Sequence, residues 1–138
     1  MEARELIELA RQARERAYTP YSHFKVGSAL LDSEGHVHLG CNVENAAFGP
    51  TNCAERTALH RAIADGAAPR SFKALAVIGD TAQPISPCGV CRQVLIELCA
   101  PDMPVYLANL QGELAQTTVG ALLPGAFTSH DLDGGQRN

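Results

Sequence analysis

Three cysteines and one glutamate have the types and spacing to do chemistry. Cys53-Ala54-Glu55 lies well upstream of Pro87-Cys88-Gly89-Val90-Cys91. A thiol pair at i, i+3 with one distant thiol is a metal-ligand pattern that leaves one position vacant. Structural zinc sites fill all four tetrahedral positions with protein ligands, whereas catalytic ones keep one for water. Glu55, two residues past the first thiol, is placed to move protons for that water. Both thiol groups fall at predicted helix starts, where free amides and a partial positive charge favour the thiolate. A thiolate-rich set favours zinc over magnesium or calcium. Three thiolates and one divalent ion sum to a negative centre that a cation would offset. Arg56 and Arg92 are the candidates, by hydrogen bonds to the sulfurs.

Each of these residues also has a plainer reading. Glu55 suits a solvated first turn, where it would stabilise the helix dipole. Either arginine suits a helix surface. Cys88 and Cys91 form a Cys-x-x-Cys, which can be a redox dithiol or a packed pair. Cys41, ending a strand, and Cys99, late in a helix, are assigned no chemistry. His36 and His38 alternate on a predicted strand and are placed to pair on one exposed face, without a ligand role.

The elements that must position these groups follow from periodicity. Leu6, Leu9, Ala10, Ala13 and Ala17 form the apolar stripe of a first helix, ended by Thr19-Pro20. Residues 24–31 and 36–41 read as a hairpin around Asp32-Ser33-Glu34-Gly35. Residues 42–52 read as a polar loop. A helix is predicted over 53–64, with Thr51 and Asn52 as capping candidates and Gly66 as its stop. Residues 72–78 form a buried-type strand, and 88–98 a helix with Pro87 at its entrance. Strands are predicted over 104–108 and 114–119, then a helical turn or irregular segment over 120–127. Strands alternating with helices point to a layered α/β domain.

The 138 residues suit one domain spanning 1–138, with 128–138 a flexible tail. A net charge of −4 argues against a nucleic-acid polymer as partner, since phosphate backbones need a basic surface. No apolar run is long enough to span a bilayer, and the N-terminal stretch lacks the h-region of a signal peptide. The expectation is a cytoplasmic protein with no membrane partner. In a reducing compartment, five cysteines favour metal binding or catalysis over disulfides.

The motifs resemble a known family. Cys-Ala-Glu-Arg-Thr-Ala at 53–58 with Ser-Pro-Cys-Gly-Val-Cys-Arg-Gln at 86–93 is similar to the signature of the cytidine deaminases. The likeness is to the small, homotetrameric type that acts on free nucleosides. It extends to Phe-Lys-Val-Gly-Ser-Ala-Leu at 24–30, to Asn-Val-Glu-Asn-Ala at 42–46, and to Leu-Leu-Pro-Gly-Ala-Phe at 122–127. The resemblance implies a three-layer α-β-α sandwich with a mixed five-stranded sheet. It implies one Zn2+ per subunit on Cys53, Cys88 and Cys91, with Glu55 as proton shuttle and Arg56 quieting the thiolate charge. The nucleoside loop would supply Asn42 and Glu44 to the ribose hydroxyls, together with Asn45 and Ala46. Phe24 would pack by the pyrimidine and ribose, and the Ala54 backbone would hold the ring's carbonyl edge. Phe127 would stack on a base bound in a neighbouring subunit of a homotetramer with shared sites. The implied reaction is hydrolysis of cytidine and deoxycytidine to uridine, deoxyuridine and ammonia, in pyrimidine salvage. Phe48 departs from the family's frequent tyrosine, losing a hydroxyl contact across the subunit boundary. Lys25 stands where an uncharged residue is common.

Rival readings make different demands. A deaminase of blasticidin-like nucleosides would share this architecture, although the Asn-x-Glu-Asn loop favours an ordinary nucleoside. A polynucleotide editor would need a basic stripe. A zinc-stabilised interaction module would need a fourth protein ligand, and a thiol-disulfide oxidoreductase would make Cys53 dispensable.

Overall fold

The computed structural model describes residues 1 to 133. Its centre is a sheet in the order β2-β1-β3-β4-β5. The strands are β1 (Val26–Leu31), β2 (Val37–Cys41), β3 (Ala74–Gly79), β4 (Pro104–Asn109) and β5 (Leu114–Thr118). β1 pairs antiparallel with both β2 and β3, β3 runs parallel to β4, and β5 returns antiparallel. The sheet is therefore mixed. β1 and β3 are buried along their whole length, as strands covered on both faces must be.

Alternation along the strands divides the core in two. Ala29, Leu31, Ala74, Ala76, Ile78 and Ala108 pack against Leu6 and Ala10 of α1 (Ala3–Arg14). Leu30, Leu75, Val77, Val105 and Leu107 face the other way. They meet Ala58, Leu59 and Ala62 of α2 (Ala54–Ala64) and Leu95 and Cys99 from and just after α3 (Gly89–Leu98). One helix on one face and two on the other make the expected three layers.

The boundaries differ from the sequence reading where the chain finds partners outside its own element. α1 stops at Arg14 rather than at Thr19-Pro20. The chain leaves the helix because the Tyr18 amide donates to the Asn42 carbonyl (3.0 Å), and its carbonyl accepts from the Glu44 amide (2.9 Å). Neither Thr51 nor Asn52 caps α2; Cys53 is the N-cap. The Thr51 hydroxyl instead accepts from the Asn45 amide, and Asn52 donates to the Thr57 hydroxyl. His36 and His38 do not form an exposed pair. Both face Asp32, and the His38 side chain is only 12% exposed. Thr118 caps a single-turn helix α4 (Val119–Leu122). Of the segment expected to be a tail, Ser129–Asp133 is helical (α5), and residues 134 to 138 lie outside the described residues.

Candidate metal centre

Two helix N-termini on the same sheet face build the site. Cys53 and Cys88 are the N-cap residues of α2 and α3, both with extended backbone. Cys91 lies one turn into α3 and is fully buried. α2 sits unusually close to the sheet. A Cβ at Gly40 would fall 2.4 Å from the Ala54 carbonyl oxygen, and the Ser28 hydroxyl donates to that oxygen at 2.7 Å. The approach needs glycine in β2, and it sets the height of Cys53 and Glu55 above the sheet.

The ligand atoms of Cys53, Cys88 and Cys91 all lie within 4.8 Å of one another. Cys53 and Cys88 are 3.7 Å apart, sulfur to sulfur. Tetrahedral zinc with bonds of about 2.3 Å to sulfur spaces its ligands at about 3.8 Å, so the trio fits that ion. Among the described residues, no fourth Cys, His, Asp or Glu joins the group. That removes the donor a closed structural site would need, and a third sulfur at this distance exceeds what a redox dithiol uses. All five cysteines are unpaired.

The electrostatics suit cation binding. Cys53 is held down to about 5, chiefly by a hydrogen bond from Cys91, with Arg56 and Cys88 adding to it against burial. Cys91, the donor in that bond and itself buried, is pushed well above the ordinary thiol range. An incoming divalent ion would displace the proton they share. Arg56 Nη2 donates to Cys53 Sγ at 3.3 Å, as a charge-offsetting residue should. Arg92 does not reach a sulfur. Its three nitrogens donate to the Pro87 carbonyl, the Leu122 carbonyl and the Ser86 hydroxyl. The expectation that it tunes the thiolates is corrected on that ground.

Glu55 is 4% exposed, which sets aside a solvated first turn. Burial pushes its carboxyl up to about 7, and the nearby Cys53 charge acts in the same direction. Cys53, Cys88, Ala54 and Glu55 open on a cavity of about 180 Å³ whose other walls include Phe24 and Asn42. Val26, Ile85 and Ser86 also line it. Sequence reasoning gave these three no role, although Val26 and Ser86 both stand inside quoted motifs.

Glu44, Asn45 and Phe48 line a second recess of about 350 Å³, with Tyr21, Ser22 and Thr51. The Glu44 carboxylate accepts from the Tyr21 and Ser22 amides, each at 3.0 Å, and from the Ser22 hydroxyl. The Ser22 bonds hold it below the usual carboxylate range. Asn42 spans the start of β1, accepting from the Val26 amide (2.9 Å) and donating to the Phe24 carbonyl (2.8 Å). An amide group has four hydrogen-bonding sites, so two remain for another molecule. Ala46 is exposed. Phe127 is 59% exposed and lines neither space; Gln93 donates to its carbonyl at 2.9 Å.

A three-layer α/β domain with three sulfurs and a buried carboxylate at paired helix N-termini defines a class, that of proteins holding a zinc ion open on one side. Over residues 1–107 the chain matches the family described as cytidine and deoxycytidylate deaminase zinc-binding region. It is 57% identical over 132 residues to the cytidine deaminase of Sporosarcina psychrophila, covering 96% of each. To the cytidine deaminase of Halalkalibacterium halodurans it is 55% identical over 133 residues, 96% of this chain and 99% of that one. The crystal structure of cytidine deaminase from Burkholderia pseudomallei superposes with a TM-score of 0.91 at 57% identity, covering 92% of this chain and 100% of that one. The chain belongs to the cytidine and deoxycytidylate deaminase family, and Cys53, Cys88 and Cys91 form a cluster able to hold its metal ion.

Proposed function

We propose that this protein hydrolyses the amino group of cytidine and deoxycytidine, giving uridine, deoxyuridine and ammonia in pyrimidine salvage. The observation that carries this reading is a buried carboxylate, raised to about 7, beside a three-sulfur cluster that opens on a small cavity. Cys53, Cys88 and Cys91 hold the zinc. When bound, it supplies a Lewis-acid centre that makes a water acidic at neutral pH. Glu55 does the proton work. Its carboxylate takes a proton from the attacking water and gives it to the ring nitrogen beside carbon 4. It then carries the water's second proton to the amine, which leaves as ammonia. A group titrating near 7 suits both directions of that transfer.

Phe24 and the Ala54 backbone hold the pyrimidine. Asn42 and Glu44 take the ribose hydroxyls, with Asn45 and Ala46 shaping the loop. An ionised Glu44 makes charge-assisted bonds to hydroxyls and repels a 5′-phosphate, favouring nucleosides over nucleotides. The working unit is a cytoplasmic homotetramer in which Phe127 and Phe48 complete a neighbour's site. Their exposures of 59% and 82% support this, as does the apolar groove between α2 and α3 lined by Ile63, Ala64, Val94 and Leu98.

The deciding experiment mixes zinc-loaded protein with cytidine and follows ultraviolet absorbance together with ammonia release. Loss of cytosine absorbance matched mole for mole by released ammonia is expected. No turnover of either nucleoside by protein carrying full zinc would refute the assignment. Light scattering tests the assembly, for which four chains are expected.

A further inference from the structure

Arg92 is half-buried in α3, three residues past its first residue. A cation near a helix N-terminus is disfavoured by the dipole, so local electrostatics do not explain it. Its hydrogen bonds do. Nε donates to the Pro87 carbonyl at 2.8 Å and Nη2 to the Ser86 hydroxyl at 2.7 Å, both in the loop that delivers Cys88. Nη1 crosses to the Leu122 carbonyl at 2.8 Å, at the end of α4. The neighbouring Gln93 reaches the Phe127 carbonyl at 2.9 Å. Cys88, the N-cap of α3, makes no side-chain capping bond of its own. Its exposed loop therefore depends on outside support.

We infer that Arg92 is a positioning residue that locks the Cys88 loop to the segment running from α4 to Phe127. One planar guanidinium satisfies three acceptors in two segments, and its rigid fork fixes their spacing. The loop that delivers Cys88 and the segment that leads from Leu122 to Phe127 thereby share one brace, with Ser86 and Pro87 held on one side and Leu122 on the other. The substrate half of this inference rests on the deaminase reading; the zinc half does not.

The role separates from a charge role by substitution with lysine, which keeps the cation and loses the fork. Zinc transfer to a colorimetric chelator and the KM and kcat for cytidine would be measured for the zinc-loaded wild type, Arg92→Lys, Arg92→Ala and Ser86→Ala. Arg92→Lys is expected to release zinc about tenfold or more faster, the usual scale for losing a residue that orients a metal ligand. It should match Arg92→Ala and raise KM as well. Ser86→Ala, which cuts only the loop side, is expected to speed release by a smaller factor than either arginine variant. Wild-type release and KM in Arg92→Lys, with Arg92→Ala alone impaired, would overturn the brace in favour of charge. Should neither arginine variant fold, Ser86→Ala still decides: faster zinc release supports the brace, and unaltered release overturns it. A wild type inactive on cytidine would leave the release comparison intact.

Discussion

Glu44 and Glu55 line two separate recesses, and their surroundings push their proton affinities apart. Glu55 loses water and rises to about 7, while Glu44 gains three donors from Tyr21 and Ser22 and falls below its ordinary value. One is equipped to exchange protons at neutral pH and the other to stay charged as a fixed acceptor. Glu55→Gln should keep zinc and fold while losing about 100- to 10,000-fold in kcat; steady-state kinetics beside metal analysis checks this. Ser22 ties Glu44 to the Phe24 backbone, since its hydroxyl donates to Glu44 and accepts from the Phe24 amide at 3.0 Å. Ser22→Ala is expected to raise KM for cytidine several-fold with kcat nearly kept, because it loosens Glu44 without touching Glu55.

Among the elements, β2 and the hairpin turn carry the clearest consequences. Gly40 lets α2 approach until backbone meets backbone, so a methyl group there would clash with the Ala54 oxygen and the Ala58 nitrogen, neither of which can swing aside. Gly40→Ala should cost about 1–3 kcal/mol of stability and release zinc faster, read by denaturant melts and chelator transfer. The turn from β1 to β2 is held by Asp32. Its Oδ1 accepts the Glu34 and His36 amides, each at 2.9 Å, and its Oδ2 accepts from His38 at 2.9 Å. The His38 bond above all keeps the carboxyl down at about 2. A carboxyl lowered in the folded state stabilises above its unfolded value of 3.8 and loses that contribution as pH falls towards about 2. Wild type should therefore exceed Asp32→Asn in stability by a constant amount above about pH 4, and the gap should shrink below it. Denaturation midpoints across that range measure it.

At the scale of the molecule, a bound metal would join two segments that no disulfide connects. Cys53 caps α2, while Cys88 and Cys91 belong to α3. An ion bound only by the folded chain adds about 2.7 kcal/mol when free ion exceeds its dissociation constant a hundredfold. Chelation should lower the melting temperature and abolish turnover together, and zinc should restore both. Cys53→Ala should melt near the chelated wild type, with no further loss on adding chelator.

Most of the fold was legible in the chain because its signals are local. Period-two and helical patterns, with Gly and Pro at the breaks, placed all five strands and the helices α1 to α3. The same holds for the cluster, since a Cys-x-x-Cys at a helix start needs only its neighbours to be recognised. What the chain could not declare is where long side chains end. Arg56 and Arg92 stand at similar offsets from a thiol, yet one reaches sulfur and the other turns to Ser86, Pro87 and Leu122. Leu122 is thirty residues from Arg92, and Ser22 is twenty-two from Glu44. Such partners are chosen by packing three layers around a sheet, which brings distant acceptors within a side chain's length. Residue types and spacing determined which chemistry was available; burial and long-range hydrogen bonding, which exist only once the layers close, decided which residues were left to perform it.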